Sequence, residues 1–259
     1  IGLNRAEQMY GAGVYLETPV LPSLNGYEAS AIVMESGPGV SGFSVGDPIS
    51  VVPSFSLKDY GVYGEVAVVP AYAVVKRPKG LTAVEAAAVW MAYITAYGAL
   101  IDIAKIGKGD AVIITAASSS VGLAAIQIAN SVGAISIATT RTSAKVSALK
   151  AAGAAHVVVT EEQDLVTAIN AITNGKGARI VFDPVGGQGV DKLAQATSPG
   201  GTLILYGGLS LEPTMFPVAS AFMKGLSLRG YVMFEILGDK ARREAAIAFI
   251  TKGLEAGAL

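Results

Sequence analysis

From Asp110 onward the chain alternates short apolar runs with helix-length stretches, and this rhythm restricts the fold more than anything else in it. The apolar runs are Ala111-Val112-Ile113-Ile114-Thr115, Ala134-Ile135-Ser136-Ile137-Ala138, Val157-Val158-Val159, Arg179-Ile180-Val181-Phe182-Asp183, Thr202-Leu203-Ile204-Leu205-Tyr206 and Leu226-Ser227-Leu228. Helices are predicted between them over about 121–132, 143–152, 163–173, 188–196 and 217–224. Strands so continuously apolar are buried on both faces, which crossover helices accomplish, so the sheet is expected to be parallel. Six strands in this order predict a doubly wound α/β nucleotide fold.

Before residue 80 the texture differs. Short Val-rich runs such as Ala31-Ile32-Val33-Met34, Pro48-Ile49-Ser50-Val51-Val52 and Gly64-Glu65-Val66-Ala67-Val68-Val69-Pro70 are punctuated by Gly37-Pro38-Gly39 and Gly46-Asp47. They predict hairpins and a partly open β-barrel. Residues 82–104 begin with Thr82 and Glu85 at capping-box spacing, which predicts one long helix bridging two domains. A charged helix over residues 239–253 is expected to return to the first domain. The expected domains are therefore 1–94, with the bridging helix from about 82, then 95–230, and a return segment 231–259.

Composition removes whole classes of function. Lys plus Arg number 19 against 20 Asp plus Glu, a formal net charge of -1, so neither nucleic acid nor an anionic membrane surface is an expected partner. Cys is absent and His156 stands alone, which leaves no thiol chemistry and no ligand set for a common zinc site. The chain is 52% hydrophobic, yet its apolar runs are broken at strand or helix length and none is expected to span a bilayer. The front shows no basic segment followed by an apolar one, so a cytoplasmic location is expected. Ile1 is not a start residue, and neither end reads as a natural terminus. His156 is expected in a solvent-facing loop, Trp90 and Met91 in packing, and Lys240-Ala241-Arg242-Arg243-Glu244 on a solvated helix face.

The candidate binding chemistry lies at the carboxyl ends of the predicted parallel strands. The first runs into Ala116-Ala117-Ser118-Ser119-Ser120-Val121-Gly122 and directly into a helix, where backbone amides and the positive end of the helix dipole suit a pyrophosphate. Ser stands where a strict G-x-G-x-x-G has Gly, so a purely structural turn remains the alternative. After the second strand comes Thr139-Thr140-Arg141-Thr142-Ser143-Ala144-Lys145. An NAD-preferring fold carries an acid there, whereas here Thr140, Arg141, Ser143 and Lys145 offer hydroxyls and two cations suited to a 2′-phosphate. NADPH is therefore expected over NADH, against the alternative of ordinary solvated surface charges. The fourth and fifth strands end in Asp183-Pro184-Val185-Gly186-Gly187 and Tyr206-Gly207-Gly208, placing Asp183, Val185 and Gly207 where such folds bind ligands.

Taken in order, four stretches resemble the medium-chain dehydrogenase/reductase family, in its zinc-independent quinone oxidoreductase and alcohol dehydrogenase-like branch. They are Gly26-Tyr27-Glu28-Ala29-Ser30-Ala31-Ile32-Val33 with Gly42-Phe43-Ser44-Val45-Gly46-Asp47, Glu85-Ala86-Ala87-Ala88 with Thr95-Ala96-Tyr97, the turn ending Val121-Gly122 with Gln127 and Gly133-Ala134, and Phe182-Asp183-Pro184-Val185-Gly186-Gly187 with Pro199-Gly200-Gly201. The resemblance implies a GroES-like catalytic domain followed by a Rossmann domain, with NADPH in the cleft between them and further family segments at both ends. Zinc-using relatives have His-Glu where this chain has Tyr27-Glu28, which disfavours a zinc alkoxide. By resemblance Asn4 and Thr95 border the nicotinamide, and Tyr15 matches the proton-donating Tyr of enoyl-thioester reductases. From the residues alone, Asn4 is equally a turn residue and Tyr15 a packing aromatic.

The implied activity is metal-free hydride transfer from NADPH to a small quinone or activated alkene. An enoyl-thioester reductase and a non-catalytic, crystallin-like NADPH-binding protein are the alternatives. Residues 53–63 and 233–237 are expected to line the substrate side. A homodimer is expected through the edge strand near residues 226–231.

Overall fold

The computed structural model describes residues 1–259. The chain divides into two compact units, one of residues 1–94 with 236–257 and one of residues 95–235 with 258–259.

The larger unit contains the parallel sheet. Its strands are β4 (Ala111–Ile114), β5 (Ile135–Thr140), β6 (His156–Val159), β7 (Ala178–Asp183), β8 (Thr197–Leu205) and β9 (Ser227–Gly230), hydrogen-bonded in the order β6-β5-β4-β7-β8-β9 with every pair parallel. The crossovers are α4 (Ser120–Ser131), α5 (Val146–Ala151), α6 (Leu165–Ile172), α7 (Gly189–Ala196) and α8 (Val218–Lys224). Strand order therefore reverses between β4 and β7. All four residues of β4 are buried, as its unbroken apolar run requires. One face of the sheet packs Ile113, Ile137, Val181 and Leu203 against Leu165 and Ile169 of α6 and Val190 and Leu193 of α7. Each such side chain removed from water contributes about 1.5–3 kcal/mol.

Helix caps follow the sequence closely. Ser119 caps α4, accepting from the Gly122 amide at 3.1 Å, and Asp164 caps α6 through Thr167 at 2.9 Å. Lys224, the last residue of α8, donates to the carbonyls of Gln195 at 2.5 Å and Thr197 at 2.8 Å, so a cation satisfies the acceptors left at the end of α7. His156 departs from expectation. It is half-buried and opens β6, pairing in register with Ile137 rather than sitting in a loop.

The smaller unit holds α1 (Arg5–Gly11) and a three-stranded antiparallel sheet of β1 (Ala29–Ile32), β2 (Pro48–Val51) and β3 (Val74–Lys76) in that order. Tyr10, Tyr27, Leu57 and Trp90 are fully buried in it. Phe55 and Leu57, within the segment expected to line a substrate, are instead core residues. The run Gly64–Val68, expected as a strand, makes no ladder: its residues are solvent-exposed, and with no neighbour to take alternate hydrogen bonds the apolar pattern alone does not form one.

The single helix expected over residues 82–104 is interrupted. Thr82 and Glu85 form the expected reciprocal cap, but α2 (Ala83–Ala86) ends after one turn and α3 (Trp90–Tyr97) begins anew, followed by a π-helical stretch at Gly98–Ile103. Two buried side chains explain the break. The Ser50 hydroxyl donates to the Ala86 carbonyl at 3.1 Å, and the Glu28 carboxylate accepts the Met91 amide at 2.9 Å, so groups that a continuous helix would pair internally are taken by a residue of β2 and by the residue just before β1. The unit is completed by α10 (Lys240–Glu255), preceded in the chain by α9 (Phe234–Leu237). Lys240 and Glu244 pair at 3.9 Å on its solvated face, as expected, whereas Arg243 lies over the Tyr72 ring at 5.0 Å and donates to the Leu237 carbonyl at 2.8 Å.

Gly122 shows how tightly α4 sits on the turn that leads into it: a Cβ there would lie 2.5 Å from the Ala117 carbonyl oxygen. Gly122→Ala is expected to destabilise the protein by about 1–3 kcal/mol in denaturant unfolding. Gly189→Ala, where a Cβ meets nothing within 4 Å, is expected to be neutral or stabilising.

Candidate functional site

In the larger unit, the carboxyl ends of β4, β7 and β8 converge on one buried acid. Asp183 accepts the Thr115 hydroxyl and the amides of Val185 at 3.0 Å and Gly186 at 2.9 Å, while its own carbonyl accepts the Tyr206 amide at 3.0 Å. Asp183 is 1% exposed, so its oxygens serve the scaffold: they tie the end of β4 to the end of β7 and shape the turn that follows. Val185 and Gly207 lie on the two loops leaving β7 and β8. These loops join through Leu209 to Pro184 and Ser210 to Val185, both at 2.9 Å.

The turn between β4 and α4 is held by its own small residues. Ala116 takes a positive φ of 45°, a conformation that costs an L-residue energy, and its carbonyl accepts the Ser119 amide at 2.9 Å. With the Gly122 amide bound to Ser119 Oγ, the amides of Ser120 and Val121 at the first turn of α4 have no protein acceptor. Ser118 and Ser120 are exposed, and Ser119 and Val121 half-buried. Lys145, 27 residues further along the chain, donates from Nζ to Ser118 Oγ at 3.0 Å. The structure thus brings the serine turn and the cationic segment after β5 to one place. Arg141 and Ser143 are exposed there, and Thr140 donates to the Thr142 carbonyl at 3.2 Å. Cationic and hydroxyl groups beside free helix-terminal amides suit an extended anionic ligand. Thr95, 9% exposed in the same unit, directs its hydroxyl at Met233 Sδ at 3.8 Å.

Tyr206 was not singled out as a site residue by its sequence. Its ring stacks on Phe182 with centroids 4.0 Å apart and an interplanar angle of 17°. Its hydroxyl is buried against Ser119 without a well-aligned hydrogen bond to any protein atom. Burial, and then the nearby Asp183 charge, push the phenol well above its ordinary value, while Ser119 pulls it back. The only sequence signal was an aromatic with a polar tip at a strand end.

In the smaller unit, Asn4 occupies the helix-capping position before α1. Its Nδ2 donates to Glu28 Oε1 at 2.9 Å and Glu7 Oε1 at 3.2 Å, and its backbone amide to Glu7 Oε2 at 2.7 Å. Both acids are buried, and both escaped the sequence-based list of site residues. Burial raises the Glu28 carboxyl, opposed by the amides of Met91 and Asn4 that favour its charged form. Tyr15 is half-buried and meets Tyr27 edge-on at 6.3 Å, and Tyr27 continues to Phe55 at 6.0 Å. Desolvation, then Glu7 and Glu17, push the Tyr15 phenol up to about 12. No three or more His, Cys, Asp or Glu side chains are grouped to hold a metal ion.

Comparison with known proteins gives this architecture a family. The family model described as the alcohol dehydrogenase GroES-like domain matches residues 1–79, and the one described as zinc-binding dehydrogenase matches residues 120–252. A human protein named synaptic vesicle membrane protein VAT-1 homolog is 34% identical over 210 residues, covering 81% of this chain and 52% of that protein. A mitochondrial enoyl-[acyl-carrier-protein] reductase of Xenopus tropicalis is 30% identical over 236 residues, covering 90% of this chain and 66% of its own length. Among solved structures, an NAD-dependent alcohol dehydrogenase superposes with a TM-score of 0.89 at 30% identity, covering all of this chain and 79% of that one. The Escherichia coli quinone oxidoreductase complexed with NADPH gives 0.87 at 27% identity, covering all of this chain and 78% of that one. The chain spans about half the length of the VAT-1 homologs it matches. By its domains and relatives the chain belongs to the medium-chain dehydrogenase/reductase family. The zinc in one family description finds no counterpart in the donors of this chain, which has no Cys and a single His.

The position of Tyr15 leads to a pH prediction. A raised phenol pKa keeps the proton on, so any step using Tyr15 as an acid retains it through neutral and mildly alkaline pH. Phenolate absorbance of the wild type minus that of Tyr15→Phe is expected to titrate near pH 12 instead of 10. A Tyr15 phenolate that forms near pH 10 contradicts the burial described.

Proposed function

We propose that this chain is a metal-free reductase that binds NADPH on its parallel-sheet unit and passes hydride to a quinone or an activated alkene. The observation that carries the reading is the bond from Lys145 to Ser118, which sets the cations after β5 against the dinucleotide turn. In this reading the Ser120 and Val121 amides, with the hydroxyls of Ser118 and Ser119, receive the pyrophosphate. Arg141 and Lys145, with Thr140 and Ser143, receive the 2′-phosphate, and no acid stands at the end of β5 to compete for it. Val185 and Gly207 offer close-approaching loop backbone, with Asp183 holding both loops, and Thr95 takes the nicotinamide end, as the resemblance implies. The cofactor supplies the hydride when bound. The protein supplies binding, orientation and exclusion of water.

A second reading, an enoyl-thioester reductase, is favoured by one observation: Tyr15 is a protonated, half-buried phenol beside two carboxylates. There its hydroxyl gives a proton to the reduced substrate, a role quinone reduction does not need because the reduced oxygens take protons from solvent. We also infer a homodimer. β9 is an edge strand bonded only to β8, and the adjoining α8 leaves Phe222 85% and Met223 78% exposed, an apolar surface that a second copy would cover.

Nucleotide fluorescence titration tests the cofactor assignment. The protein is expected to bind NADPH in preference to NADH, and replacing Arg141 and Lys145 together with Ala to weaken NADPH by about tenfold or more while changing NADH by less than about threefold. Equal losses for the two nucleotides contradict the 2′-phosphate assignment.

A further inference from the structure

The dinucleotide turn departs from the glycine pattern such turns use, and the structure offers a replacement for it. Ser119 Oγ already accepts the Gly122 amide, which leaves it one acceptor site and its own hydrogen. The Tyr206 hydroxyl faces it, buried and without a hydrogen-bond partner of its own. A buried hydroxyl without a partner is destabilising, so its retention calls for a use. The phenol cannot move far, because its ring is stacked on Phe182 and its backbone amide is bound to the Asp183 carbonyl. It also stays a donor: burial and the Asp183 charge both oppose ionisation. Asp183 accepts from Thr115, Val185 and Gly186, and the phenol makes no hydrogen bond to it.

We propose that Tyr206 is a positioning residue for the dinucleotide: once a nucleotide is bound, it donates its hydroxyl hydrogen to Ser119 Oγ, so that the Ser119 hydrogen is left to a phosphate oxygen. The chain of donors runs Tyr206 to Ser119 to anion. Each link polarises the next, so the Ser119 hydroxyl is a stronger donor to the anion than an isolated serine. A hydroxyl pair thereby does at this turn part of what bare backbone amides do in a glycine-rich one. The proposal rests on the dinucleotide reading above and deepens it. It predicts a contribution to nucleotide binding that is indifferent to the 2′-phosphate, because the pyrophosphate is common to NADPH and NADH.

Tyr206→Phe removes the hydroxyl and keeps the ring stack. Titrated with NADPH and NADH separately, this variant is expected to bind both about threefold to tenfold more weakly, with their ratio unchanged. Its ligand-free melting temperature is expected to stay the same or rise, since the lost atom is an unsatisfied polar group. Ser119→Ala, measured well below its own melting transition because it also loses a helix cap, is expected to weaken both nucleotides, and the double variant to be no weaker than Ser119→Ala alone. Undiminished binding by Tyr206→Phe, or additive losses in the double variant, overturns the proposal while leaving the cofactor reading intact. A wild-type protein that binds neither nucleotide overturns both.

Discussion

The Asp183 carboxylate holds the ligand-facing end of the parallel sheet together. It sits where strand order reverses, almost wholly out of water, and no cation neutralises it within the network described. Burying such a group is costly unless donors surround it, and here the Thr115 hydroxyl and two successive amides of its own turn do so. Hydrogen bonds to a charged acceptor are worth about 1.5–3 kcal/mol each, and losing any one would leave a buried lone pair unpaired. One acid therefore fixes three things: the end of β4, from which the serine turn departs, the loop after β7, and, through its carbonyl and the Tyr206 amide, the end of β8. The Ala116 backbone, held at positive φ, lies one residue past Thr115. The strained turn depends on that anchorage.

Much of this was legible because the sheet writes itself into sequence. A strand buried on both faces must be apolar throughout, and a crossover helix must be long enough to return, so six strands and their order of appearance followed from pattern alone. The cap at Thr82 was equally readable, since Thr82 and Glu85 lie three residues apart. The break after Ala86 was not legible. It is imposed by Glu28 and Ser50, distant in sequence, whose side chains take backbone groups from the Ala-rich stretch. No local propensity announces a competitor more than 30 residues away. The exposed Gly64–Val68 run failed for the converse reason: β propensity describes how a side chain fits a pleated surface, and here no neighbouring strand provides one.

The candidate site divides along the same line. Ser118–Gly122, Arg141 and Lys145 were readable because a turn needs small residues and an anion needs cations, both local requirements. The contact between Lys145 and Ser118 supplies what sequence could not, namely that the two motifs meet. Asp183 was picked out as a ligand-facing acid, and the fold explains why it is needed: its oxygens are spent inside the scaffold. Glu7, Glu28 and Tyr206 were missed because each draws its significance from a partner far along the chain. Asn4 shows both sides, a helix cap by local pattern whose amide is gripped by two buried acids that the local pattern does not reveal.

The proposed nucleotide cradle consists of the carboxyl ends of β4, β7 and β8, prebuilt and anchored on Asp183. Hydrogen–deuterium exchange with and without NADPH addresses it most directly. Nucleotide is expected to slow exchange at the amides of residues 118–122, 185–187 and 207 together, with little change at the already bonded amides within β4 and β7. Protection confined to other segments, or none at saturating NADPH, would contradict it.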